Sequence, residues 1–428
     1  MLRCVKRALL ALTLAGAVSA ARAADLTLYY SFAEVREPVR VTAPVFEWSP
    51  GADAFYQLLP GTLELEHPGI TGRTAFMPSD MILAAFEGKE VLVRRGDTQV
   101  RARVVNAQQL LFEANGQYFQ ADPLSVTYPS LEGVRFTPTF RWTLSGASGN
   151  ATLSYLTRGL TWQPRYALTV TGSTPSLTGW ADVANNTSGS FSAPKLTLMA
   201  GQANLASQPM MAEGRGGGGM PAPVASMAMD AKVVASGEAG GLQSFTYPSP
   251  VTIPPRSTTS VPFIQPKVTL ERVLQYQAGF NTAPRTVVPL QRIYTLTPDA
   301  DLPAGTVTVR EDGRVLGQAV AEDTPKGEKA DLNLGQDFDL RLTRTVQVLS
   351  QTRTDARFKV SFSLVNTKNR AVTVRLRELL AGYYGRSFEL SSIVLPGYRA
   401  DTNGFTATAN LAPGARLEAS YVVNFKLQ

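Results

Sequence analysis

Apolar residues in this chain recur in short runs cut by turn formers. Few stretches keep the spacing of about 3.6 residues that a helix needs. The clearest region runs from Tyr155 to Leu205. There Tyr155-Leu-Thr-Arg-Gly159, Leu160-Thr-Trp162-Gln-Pro164-Arg-Tyr166 and Leu177-Thr-Gly179-Trp180 are followed by Val183-Ala-Asn185-Asn186-Thr-Ser-Gly189 and Ala193-Pro-Lys-Leu-Thr-Leu-Met-Ala-Gly201. Runs of Thr, Val, Leu and Tyr separated by Gly, Pro and Asn spell consecutive antiparallel strands joined by tight turns.

The same pattern extends both ways. Leu26 to Phe32, Val39 to Val45, Lys89 to Arg95, Thr98 to Val105, Gln109 to Glu113 and Gln117 to Gln120 are predicted strands. Asn115-Gly116 and Asp312-Gly313 carry the two-residue hairpin signal. One short helix is predicted over Ser79 to Gly88, with Ser79 as cap and Gly88 as terminator. Leu340 to Gln351, Arg357 to Asn366 and Val372 to Glu378 read as long strands. Their arginines, Arg341, Arg344, Arg375 and Arg377, are expected on the solvated face of a half-buried sheet. No repeat of about 20–50 residues emerges, which argues against a solenoid or propeller.

These elements predict an all-β protein. An antiparallel β-sandwich domain over 146–428 follows a smaller N-terminal β-domain over 24–145. A long flexible Gly/Met-rich loop is expected at 206–241, where too few bulky residues occur to offset the entropy of ordering. Composition agrees: charged residues are only 18%, beside 35 glycines and 28 prolines.

Residues 1–23 read as a leader. Arg3, Lys6 and Arg7 precede an apolar run from Ala8 to Val18, and Ala21-Arg22-Ala23 fits a small-x-small cleavage site. An exported chain beginning near Ala24 is therefore expected, in the periplasm or outer envelope, with no transmembrane segment. Cys4, Arg3, Lys6, Arg7 and Arg22 leave with the leader. That removes the only cysteine and takes the formal charge from +7 to +3. So low a charge is no nucleic-acid footprint, and a disulfide or thiolate site is excluded.

Candidate chemistry is sparse. His67, in Glu64-Leu-Glu66-His67-Pro68, is the single histidine, so a zinc or copper site built on several imidazoles is excluded within one chain. Gly214 to Gly219 lacks the Lys-Ser/Thr ending of a phosphate loop, and no Gly-x-Ser-x-Gly elbow occurs. A paired-carboxylate site leaves no local signature and stays open. Asn150-Ala-Thr152 and Asn185-Asn-Thr187 match glycosylation acceptors. Five of the nine methionines, Met210, Met211, Met220, Met227 and Met229, fall within the predicted loop. Thioethers suit Cu(I), and mobile methionines can scavenge oxidants. The alternative is a linker biased toward Ala, Gly, Met and Pro.

Trp162-Gln-Pro-Arg-Tyr166, the Asn185–Gly189 turn and the strand ending Leu-Met-Ala-Gly201 resemble a bacterial family of β-rich proteins. It is labelled mucoidy-inhibitor-A-like or simply a domain of unknown function. Leu302-Pro-Ala-Gly-Thr-Val-Thr-Val-Arg310, Thr324-Pro-Lys-Gly-Glu328 and Leu332-Asn-Leu-Gly335-Gln-Asp-Phe338-Asp339 carry the likeness through the second half. It covers residues 150–428 and implies an extracytoplasmic β-rich envelope protein, with no established reaction. The coiled coil that some members carry is absent here. Two readings follow: a non-enzymatic structural or interaction subunit that docks other envelope or surface-layer proteins, and a copper-binding or oxidant-defence subunit built on the Met-rich loop.

Overall fold

A computed structural model describes residues 22–78, 82–132, 134–146, 148–205, 235–381, 383 and 387–426. The chain is all-β, as its alternating pattern requires. Its described residues divide into two compact units, one holding residues up to Trp162, Val183 onward and up to Thr259, the other Gln163–Asp182 and Ser260 onward.

In the first unit the central sheet has seven strands. In spatial order they are Ala235–Ala239, Leu242–Tyr247, Leu196–Ala200, Asp25–Leu28, Ala33–Val41, Gly149–Thr157 and Glu64–Glu66. Ala33–Val41 pairs antiparallel along its whole length with Gly149–Thr157, so this unit draws strands from both sides of residue 146. Two early strands are paired in parallel instead: Arg22–Ala23 lies on Phe191–Ala193, and Asp25–Leu28 on Leu196–Ala200. Trp162 is fully buried and its indole N–H donates to the Met199 carbonyl at 3.0 Å, which ties the opening motif to the Leu-Met-Ala strand.

A five-stranded module sits between the paired strands Ile70–Phe76 and Thr139–Leu144. Its order is Gln117–Gln120, Leu111–Ala114, Thr98–Asn106, Glu90–Arg95 and Val126–Thr127. Val91, Val93, Val104 and Phe112 form its own core with Leu83 and Phe86. Asn115 and Gly116 both take positive φ, 52° and 76°, as the predicted hairpin demands. Within the predicted helix Ser79 to Gly88, the described residues coil as a 3-10 turn over Ile82–Phe86, and residues 79–81 lie outside the described part.

The predicted loop also needs correction at its end. Ala235–Ala239 and Leu242–Tyr247 form a hairpin across Gly240-Gly241, whose φ values of 60° and 82° are those of a two-residue turn. Residues 206–234 lie outside the described part.

The second unit contains a five-stranded and a nine-stranded sheet. The larger one curls so that its inner faces meet over one core, as a sandwich does. Phe358, Phe362, Phe405, Tyr421 and Phe425 fill it, with the Phe405 and Tyr421 rings 4.9 Å apart. Not every pairing is antiparallel. Leu160–Thr171 runs parallel to Gly305–Glu311, and Val268–Gly279 parallel to Val372–Leu379. The longest strand, Ala330–Gln351, is kinked near Gly335, where its register against Arg285–Pro298 shifts.

Candidate functional site

In the first unit a cavity of about 160 Å3 opens beside the Asn185–Gly189 turn. Trp48, Tyr155 and Phe191 wall it with aromatic rings, and Thr187, Ser188 and Ser190 line it with hydroxyls. The short helix Ala52–Gln57 contributes Ala54 and its N-cap Gly51, and Arg22 lines the cavity too. The turn is rigid because Asn185 is fully buried and saturated. Its side-chain N–H groups donate to the carbonyls of Gly189 and Pro254, both at 2.8 Å, while its oxygen accepts from the N–H of Thr187 at 3.0 Å.

Behind Tyr155 stands Glu37, only 7% exposed. The Tyr155 hydroxyl donates to its Oε1 at 2.8 Å, and the Arg22 guanidinium comes within 3.7 Å of the same oxygen. Burial, then the Glu37 charge, pushes the Tyr155 phenol well above its ordinary range, so it stays a neutral donor. The arrangement can hold a cation against a carboxylate.

A second buried charge sits in the second unit. Arg344 and Glu378 are 1% and 0% exposed, and Nε of Arg344 donates to Oε1 of Glu378 at 3.0 Å. Phe280 lies under the guanidinium, 5.4 Å from ring centre, and the Asn281 side-chain oxygen is 3.5 Å from Nη1. Burial raises the Glu378 carboxyl, and the Arg344 charge only partly reverses this.

The expectation of a solvated arginine face therefore holds for Arg341 and fails for Arg344. A spacing of three in a strand puts the two residues on opposite faces, and the Arg344 face is the core. Arg375 and Arg377 share a face and are half-buried.

A third constellation fixes the Gly335 to Asp339 kink. Gly335 has φ of +86°, and Asp337 Oδ1 accepts the N–H groups of Asp339 and Leu340, both at 3.0 Å. Lys368 bridges Asp337 and Asp339 at 2.9 Å each. Burial raises the Asp337 carboxyl, but the Lys368 ammonium and the two backbone N–H groups outweigh it and hold it below its usual range. Between the two aspartates the Phe338 side chain projects into solvent, 90% exposed.

Of the residues singled out from sequence, His67 uses Nδ1 to accept the Gly69 N–H at 3.1 Å within its own turn. Met210, Met211, Met220, Met227 and Met229, like Gly214 to Gly219, lie outside the described residues. Among the described residues no group of three or more His, Cys, Asp or Glu is placed to hold a metal ion. No described helix is long and apolar enough to cross a membrane.

Sequence reasoning missed Glu37, Arg344 and Glu378, though each leaves a mark. Glu37 interrupts the inward series Ala33, Val35, Val39 and Val41. Arg344 interrupts Leu340, Leu342 and Val346, and Glu378 ends Val372, Val374 and Leu376. A lone charge in an apolar register is the signal.

Compared with known families, the chain matches one described as a domain of unknown function (DUF4139) over residues 151–426. The match takes in the Asn185 turn, the Asp337 kink and the Arg344–Glu378 pair. None of the curated proteins matches the chain.

Proposed function

The chain belongs to the DUF4139 family, and from that premise we propose that it is an exported, non-enzymatic cell-envelope protein that works by docking other envelope or surface-layer proteins. The finer likeness to mucoidy-inhibitor-A-like proteins fits this reading, as does the leader pattern ending at Ala21-Arg22-Ala23.

The observation that carries the reading is the Phe338 turn. Two aspartates, a lysine and a positive-φ glycine fix a backbone kink whose outcome is a phenyl ring held in water. A rigid aromatic group loses little freedom on binding and offers a large apolar area, which are the traits of an interface anchor. By contrast the most buried charges, Arg344 and Glu378, neutralise one another inside a core.

The test is cross-linking in intact cells followed by affinity purification of the wild-type and Phe338→Ser chains. The wild type is expected to carry a discrete envelope partner that Phe338→Ser loses, with an unchanged melting temperature. Recovery of a lone monomer from both overturns the reading. So does stoichiometric copper in the purified mature chain, which would favour the Met-rich segment.

A further inference from the structure

We propose that removal of the leader turns the outer edge of strand Phe191–Ala193 into a groove for an extended, arginine-bearing segment of a partner protein. The inference rests on the exported reading above, which supplies the cleavage after Ala23.

Residues Arg22 and Ala23 are the edge strand of a three-stranded sheet that continues through Phe191–Ala193 to Val251–Ile253. The Arg22 N–H donates to the Ser190 carbonyl at 3.0 Å, and its guanidinium faces the cavity and Glu37. The leader's end thus shows what this groove accepts: a parallel strand-end with one partly exposed guanidinium reaching Glu37. Small residues, Ala21 and Ala23, flank that arginine.

Cleavage after Ala23 strips two partners at once. The Ser190 carbonyl loses its donor, and Glu37 loses its cation while staying next to the Tyr155 hydroxyl. A buried carboxylate left without a countercharge is costly, so the vacated place favours a new cation. A planar guanidinium that donates several parallel N–H groups suits a carboxylate better than a point charge does.

The groove itself persists. The Ala24 nitrogen bonds the Ser192 carbonyl at 3.1 Å, Ala24 is 1% exposed, and Asp25–Leu28 keeps its parallel pairing with Leu196–Ala200. The Asn185 network holds the opposite rim. Main-chain pairing at the strand edge then supplies affinity, and the Glu37 position selects for arginine.

The experiment uses the full-length precursor expressed in an exporting host, with the mature N-terminus read by intact mass. The mature chain is titrated with a fluorescent peptide reproducing residues 18–23, Val-Ser-Ala-Ala-Arg-Ala. Saturable binding is expected, weakened at least tenfold by Arg22→Gln in the peptide and by Glu37→Gln in the protein, and unchanged by Glu389→Gln on the exposed strand Ser387–Val394 of the second unit. The peptide substitution keeps the test valid even where Glu37→Gln disturbs folding.

No saturable binding, or equal binding of the Arg22→Gln peptide, overturns the inference. That includes the case in which the new α-ammonium of Ala24 satisfies Glu37. A mature chain that still begins at or before Arg22 overturns the processing reading instead. A dimer of the mature chain that Glu37→Gln dissociates assigns the groove to a second copy and refutes the partner.

Discussion

Asn185 and Asn366 make the same hydrogen bonds in the two units of the chain. Each is fully buried and stands at a strand's end. Each donates to the carbonyl four residues on, Gly189 or Arg370, and accepts from the N–H two residues on, Thr187 or Lys368. Each then reaches a separate segment, Asn185 to Pro254 and Asn366 to Leu411 and Ala412. One side chain closes the turn and fastens it to its neighbour.

Because both amide N–H groups are used, an isosteric carboxylate cannot substitute. Asn366→Asp sets an oxygen against three carbonyls, and Asn366→Ala removes the donor that all three share. Each variant is expected to lose about 3 kcal/mol or more, with Asp the worse of the two. Chemical denaturation of the purified chain measures this.

The Arg344–Glu378 pair is expected to behave asymmetrically. Removing one partner, as in Arg344→Met, strands a charge in the sandwich core and should cost about 3–5 kcal/mol. The double variant Arg344→Met with Glu378→Leu should regain most of that loss, since an apolar pair of similar volume suits this core. A double variant as unstable as the single one would show that the ion pair holds the sheet's curvature itself.

Acid sensitivity should centre on Asp337. Its carboxyl is held below the usual range, so the folded chain binds that proton less tightly than the unfolded chain does. The resulting stability is complete above the ordinary carboxylate pKa and is lost as pH falls through the folded value. Lys368 mirrors this at the alkaline end. Burial lowers its pKa, but the hydrogen bonds it donates to Asp337 and Asp339, with their charges, raise it overall. Its contribution is complete below the ordinary lysine pKa and disappears as pH rises through the folded value. Lys368→Met should flatten both limbs of a melting-temperature profile against pH.

Gly404 has no room for a side chain: a Cβ there would stand 2.0 Å from the Glu378 carbonyl oxygen. Gly404→Ala should therefore cost about 3 kcal/mol or more through backbone displacement. At Gly414, where φ is +74° and a Cβ meets nothing within 4 Å, alanine brings only the milder backbone penalty of about 1 kcal/mol. Thermal denaturation of the two variants side by side checks the contrast.

How much of this was readable beforehand follows from what period-two patterning encodes. Alternation and the Asn-Gly and Asp-Gly turns spelled an all-β chain, because each signal is local. The parallel pairings of Val268–Gly279 and of Asp25–Leu28 depend on partners distant in sequence, and nothing local announces them. Glu37, Arg344 and Glu378 were visible as faults in apolar registers. Which face of a strand is buried, though, becomes known only when the sheets close. The segment Leu332 to Asp339 looked like a signature without a role. Its role is geometric, since Gly335 and Asp337 bend a strand and present Phe338.

The parallel seating of Arg22–Ala23 beside Phe191–Ala193 has a temporal consequence. Arg22–Ala23 cannot find its place until the far later stretch Phe191–Ala193 has also been made. On the proposed export, cleavage after Ala23 falls within that interval. Once the strand settles, Ala24 is shut away from solvent. Under the proposed export, maturation and folding compete, and a precursor allowed to fold first should keep its leader.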